Sequence, residues 1–301
     1  MRYTDLSNTN LYNSKLHNAD LRYADLSNAY LSNADLTDAD LTGADLTGAD
    51  LYNADLTGAN LNGAILSNAD LTNADLTGAD LDNADLTGAH LSGVILYGTN
   101  LNGSILSNAD LSNAQMNNAN LSGADLKNAN LMWTFMYNTD LTGADLTDAE
   151  MSGSGSLQLI GCPDLLPTDW NCRHNSLFGP NAHFGYTDLI GFDLSDINLT
   201  YIFLMGADLT GADLSDSDLT GADLSFADLS NVDLHNADLS NANLYDADLS
   251  NVDLYNADLS NANLYDADLT DAELNNVYWY DTTCPDGSNS DENGFTCVNN
   301  L

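Results

Sequence analysis

Basic residues are almost missing from this chain. Lys and Arg total 5 against 45 Asp and Glu in 301 residues, a formal net charge of −40. Direct nucleic-acid binding needs Lys and Arg to meet phosphates, so that class is excluded. Proline is scarce, with 4 residues, and Pro163, Pro167 and Pro180 fall in one short stretch. No apolar run approaches membrane-spanning length. Histidine numbers only 5, and His235 occupies the slot that Tyr255 fills in a duplicated stretch. No catalytic constellation emerges, and carboxylates are too common for a paired-acid site to stand out. The chain reads as non-enzymatic and free of any resident cofactor.

Cysteine is rare as well. The 4 cysteines form two close pairs, Cys162 with Cys172 and Cys284 with Cys297. That placement fits two local disulfides and an oxidising compartment, and two cysteines with a distant histidine make no zinc site. The expected location is extracytoplasmic, in a periplasm, a thylakoid lumen or outside the cell, for a protein of bacterial origin. The chain opens without a signal peptide, so export requires a leader removed beforehand.

What the chain has in abundance is leucine at every fifth residue. One run of central positions extends from Leu6 to Met151 and a second from Phe184 to Trp279. Leu fills 45 of these 50 positions; Met116, Met136, Met151, Phe184 and Trp279 fill the others. Two residues before the Leu stands a small residue, usually Ala. One before stands Asp in 29 cases and Asn in 8; Ser or Thr usually follows, then Gly, Asn or Asp. A helix would wind these leucines around its axis, and a flat strand would flip alternate ones to opposite faces. Very short extended pieces separated by turns at Gly or Asn point every Leu inward. Residues 231–250 recur at 251–270 with two differences, and 61–71 recurs forty residues later with one. Both spacings are multiples of 20, so four pentapeptides make one coil of a solenoid.

This Ala-Asp-Leu-Thr-Gly unit resembles the pentapeptide-repeat family over about five-sixths of the chain. The resemblance implies an all-β fold, a right-handed quadrilateral parallel β-helix, here of about 12–14 coils at roughly 4.8 Å per coil. It also implies a non-enzymatic structural or interaction scaffold, an acidic rod whose protein partner the sequence does not name. The quinolone-resistance members of the family imply an alternative, a DNA-mimicking binder of DNA gyrase or topoisomerase. A third reading is a calcium- or surface-binding extracellular protein, with Ca2+ or other cations held weakly on ladders of Asp. The plainest account of those ladders is a solvated surface whose carboxylates also bond turn N–H groups.

Four segments are expected. Two blocks of repeats, 1–151 and 184–280, flank an irregular connecting module at 152–183 that carries Cys162 and Cys172. A disulfide cap at 281–301 carries Cys284 and Cys297 and resembles the terminal cap of exported cyanobacterial-type members. One continuous solenoid is expected through 152–183. Specific sites should lie where the beat fails. Trp133, Phe135, Trp170 and Phe203 make a candidate partner patch, beside small slots filled by the bulky Phe192, Ile197 and Ile202; the plainer alternative has Leu165, Leu166 and Trp170 packing over this apolar patch. Asp286, Asn289, Asp291 and Asn293 partly resemble the start of a calcium loop, although Asn300 stands where a bidentate Glu belongs. Arg2, Lys15 and Arg22 gather in the first coil and suggest end-to-end self-association. Tyr245 and Tyr265, one coil apart, should stack.

Overall fold

A computed structural model describes residues 1–298. The fold follows from how one pentapeptide satisfies its backbone. In residues 44–48, Ala-Asp-Leu-Thr-Gly, all five N–H groups find acceptors. Ala44 N–H closes a turn onto Leu41 O at 2.9 Å, and Asp45 N–H reaches back one coil to Ala24 O at 3.0 Å. Leu46 and Gly48 donate forward to Ile65 O and Ser67 O at 2.7 and 3.0 Å. The remaining donor, Thr47 N–H, is taken by Asp45 Oδ1 at 2.9 Å, which also accepts the Thr47 hydroxyl at 2.6 Å. Buried backbone donors must be paired, and the Asp side chain completes the set.

Each element of the repeat has a physical reason. The turn slot holds a left-handed backbone, with φ of +64° at Gly48 and +53° at Asn28. Gly, Asn and Asp tolerate that region best. The small residue and the Leu point inward: Ala44 and Leu46 are both fully buried. Thr or Ser in the small slot stays buried by donating to a carbonyl, as Thr99 does to Leu76 O at 2.7 Å and Ser217 to Leu214 O at 2.6 Å.

Parallel bridges join residues one coil apart, as in Asp25–Asp45–Ile65. The 20-residue interval seen in the duplicated stretches is therefore the repeat distance of a β-helix solenoid. The chain forms two compact units, Met1–Thr168 with Asn175–Leu177, and Asp169–His174 with the chain from Phe178 onward. In the first unit the ladder runs from Asp5 to Leu165, beyond the last beat at Met151. It absorbs one extra residue where Asp140 meets Gly161, then regains its spacing where Asp145 meets Leu165. In the second unit it runs from His183 to Thr283. Two short strands, β1 (Asn171–Arg173) and β2 (Ser176–Phe178), lie around the turn at His174 and Asn175.

Within the second unit, the bulky slots meet Phe178, which the sequence did not single out. Leu165 is 51% exposed and Leu166 is half-buried. Phe178, fully buried, stacks on Phe184 at 4.6 Å and meets Phe192 edge-on at 6.1 Å. Aromatic rings bury a large area in one piece, which suits the widened end. Trp170 lies against Gly179, whose missing side chain makes the room.

Candidate functional site

The bridges sort the slot before each Leu into vertical columns, and their chemistry differs. In the second unit, Asp188, Asp208, Asp228, Asp248 and Asp268 form one column; Asp193, Asp213, Asp233, Asp253 and Glu273 form the next. Every member of both is acidic. Where a column holds Asn, neighbouring coils bond directly, as Asn263 Nδ2 does to Asn243 Oδ1 at 3.1 Å and Asn243 Nδ2 to Asp223 Oδ1 at 3.2 Å. Two stacked carboxylates lack a donor for such a bond. Each instead takes the N–H two residues on, as Asp248 does from Ser250 at 2.9 Å. The Ser230 hydroxyl and N–H lower the pKa of Asp228, and the Thr270 hydroxyl and N–H do the same for Asp268.

In the first unit, basic groups lie beside such carboxylates. Arg22 lies 2.6 Å from Asp20 and 3.2 Å from Asp40, and Lys127 lies 2.7 Å from Asp145. Lys127 and the Thr147 hydroxyl pull the Asp145 carboxyl down to about 2. Arg2 lies over the Tyr3 ring at 5.2 Å, and Lys15 shares a column with Asp35. Arg22 is thus held by carboxylates of its own unit. His235 Nδ1 lies 2.6 Å from Asp233, which raises the imidazole pKa.

All four cysteines are disulfide-bonded. Cys284 and Cys297, both fully buried, bond to each other. The loop between them uses its polar groups internally. Asp286 accepts from Ser288, Asn289 caps a short 3-10 turn at Ser290–Asn293, and Asn289 Nδ2 donates to Asp281 at 2.7 Å. Asp291 accepts from Asp281 N–H at 3.0 Å, and Asn293 donates to the Ser288 hydroxyl at 2.6 Å. Asn300 lies outside the described residues. Among the described residues no group of three or more His, Cys, Asp or Glu is arranged to hold a metal, and no helix is long and apolar enough to cross a membrane.

The candidate aromatic residues are divided between the two units. In the first unit, Trp133 and Phe135 are 55% and 60% exposed, and the Trp133 ring lies over Gly153, one coil on. In the second, Phe203 stacks on His183 at 4.5 Å. Tyr245 and Tyr265 stack at 5.9 Å. Sequence reading missed Tyr97, Gln115, Asn117 and Tyr137, which share the face of Phe135. Writing the chain in rows of 20 would have aligned them.

A family model described as pentapeptide repeats matches eight times, over residues 1–22, 24–63, 54–93, 64–103, 95–131, 124–154, 207–245 and 242–278. Among solved structures, the chain is similar to HetL, a pentapeptide repeat protein involved in heterocyst differentiation regulation from Nostoc sp. strain PCC 7120. Identity there is 29%, covering 95% of this chain and 92% of that one, with a TM-score of 0.28. QnrB1, a plasmid-mediated fluoroquinolone resistance protein, is 22% identical over 71% of this chain and 88% of its own, with a TM-score of 0.30. A pentapeptide repeat protein of the Arabidopsis thaliana thylakoid lumen is 34% identical over 33% of this chain and 63% of its own, with a TM-score of 0.16. No curated protein matches the chain.

Proposed function

We infer the function from one premise, that this chain belongs to the pentapeptide-repeat family. It is a non-enzymatic scaffold whose coils, right-handed and four-sided as in the family, present rows of carboxylate to a cationic surface on a protein partner. The observation that carries this reading is the pair of wholly acidic columns at 188–268 and 193–273. Where the fold draws an acceptor from this slot, it requires an Asx oxygen, not a charge. Asn meets the requirement, as Asn120 Oδ1 does by accepting from Ser122 N–H at 3.0 Å. Yet Asp outnumbers Asn by 29 to 8 in the slot. The excess charge is available for long-range attraction of a basic partner.

The test exchanges charge for amide without touching the backbone bonds. Asp208, Asp228, Asp248, Asp213, Asp233 and Asp253 are all changed to Asn, and partners are captured by crosslinking from the native host at low and high salt. Loss of a salt-sensitive partner, with an unchanged circular dichroism spectrum, is expected; undiminished capture overturns the reading. A DNA-mimicking gyrase binder would use the same unbroken columns, and inhibition of gyrase supercoiling by the native chain but not the six-Asn chain would select it. The four bonded cysteines support an extracytoplasmic location. Thiol alkylation before lysis of the native host checks this: labelled cysteines would count against it.

A further inference from the structure

One face of the first unit departs from the acidic rule. Its slot before Leu runs Asp35, Asp55, Asp75, then Ile95, Gln115 and Phe135, joined rung by rung. Two residues further along the same rungs, Thr37, Thr57 and Thr77 give way to Tyr97, Asn117 and Tyr137. Across three successive coils this face carries no charge, in a chain of net charge −40.

Folding does not account for the change. An apolar residue in this slot forfeits the side-chain oxygen that would take the N–H two residues on. The Tyr137 N–H is rescued by Asn117 Oδ1 of the preceding coil at 2.9 Å. A local rule broken and then compensated points to a use. The rings are also held in place. Tyr97 OH accepts from Asn117 Nδ2 at 3.0 Å, and Tyr137 OH donates to Gln158 Oε1 at 2.9 Å. Each tyrosine thus extends along its column with its hydroxyl tied one coil on. Even so, Phe135, Tyr137 and Tyr97 remain 60%, 53% and 40% exposed.

We propose that this face, Ile95, Tyr97, Gln115, Asn117, Phe135 and Tyr137, binds a neutral oligosaccharide. A pyranose offers a C–H face to an aromatic ring and hydroxyls to amides and phenols, and the face alternates those groups at coil spacing. Rings already immobilised lose little entropy on binding. Charge selects the ligand further. Anionic chains are repelled by the whole surface, and a cationic partner finds its carboxylates in other columns. A protein anchor would need a desolvated pocket, whereas these rings stand on an exposed face. The assignment is independent of the acidic columns invoked above.

The test uses the full chain in calorimetric titrations with cellohexaose, maltohexaose and mannohexaose. At least one should bind, with an affinity that salt leaves unchanged. Phe135→Asn with Tyr137→Thr restores residue types used elsewhere in the repeat and should weaken binding by at least about tenfold. Tyr137→Phe keeps the ring and should retain most of the affinity, and Tyr245→Thr, in the other unit, should change nothing. No heat with any of the three sugars overturns the proposal, as does binding that survives the double change. A protein partner lost on the double change, with no sugar bound by the native chain, overturns it in favour of a protein-docking face.

Discussion

At the residue scale, the Asp slot separates two roles that composition alone confuses. Asp248 accepts from Ser250 N–H at 2.9 Å and sits in a column between Asp228 and Asp268. Asp248→Asn keeps the acceptor and removes two repulsive contacts, so urea denaturation should show unchanged or raised stability. Asp248→Ala removes the acceptor and should cost about 0.5–1.5 kcal/mol. Equal costs for the two changes would mean that charge, not the hydrogen bond, governs this slot. The turn slot makes a second contrast. Gly221 and Gly211 both have left-handed backbones, at φ +68° and +66°. A Cβ on Gly211 meets nothing within 4 Å, whereas one on Gly221 falls 2.5 Å from the Tyr201 ring. Gly211→Ala should cost about 1–2 kcal/mol from its backbone alone. Gly221→Ala should cost more, and the excess should vanish when Tyr201 is also changed to Ala. A persistent excess in that double variant would show that the ring is not its source.

At the scale of the element, the terminal loop is built to hold its last coil. Thr283 pairs with Asn263 on one side and antiparallel with Asn289 on the other, and Thr282 Oγ1 reaches Leu259 O at 2.8 Å. Cys284 and Cys297, 13 residues apart, close the loop. Cys284→Ser with Cys297→Ser should cost about 2–4 kcal/mol, read by calorimetry against the native chain. No change would mean that the loop's hydrogen bonds suffice. The coils themselves were legible because Leu6 to Met151 repeats without a gap and 231–250 recurs almost unchanged. Phe178 as the cover of Phe192 was not legible, since 152–183 has no period and its contacts depend on three-dimensional packing. The neutral face at 95–137 was hidden for another reason. Its members lie 20 residues apart, so a reading along the chain saw Trp133 and Phe135 together and passed over Tyr97 and Asn117.

For the whole molecule, charge sets how stability answers to solvent. Carboxylates one coil apart repel by roughly 0.9 kcal/mol per pair in water before screening. With 45 acidic and 5 basic residues, repulsion outweighs the few ion pairs, those of Arg22, of Lys127 and of Arg173 with Asp193 at 2.9 Å, so the melting temperature should rise with added salt. A fall would mean that those pairs dominate. Acid acts on stability through the hydrogen-bonded carboxylates. Asp145 is held at about 2, and Asp193, Asp228 and Asp268 lie below the ordinary value through the Ser or Thr two residues on and, for Asp145, through Lys127. A depressed carboxyl contributes stability that is complete above its unfolded pKa of about 4 and is lost as pH falls through the folded value. Melting temperature should therefore hold from neutral pH to about 4 and drop below about 3. The drop should remain at high salt, because screening weakens repulsion between exposed charges more than it weakens a hydrogen bond. A melting temperature that rises below about 3 would show that relief of repulsion between the columns outweighs the loss of these bonds.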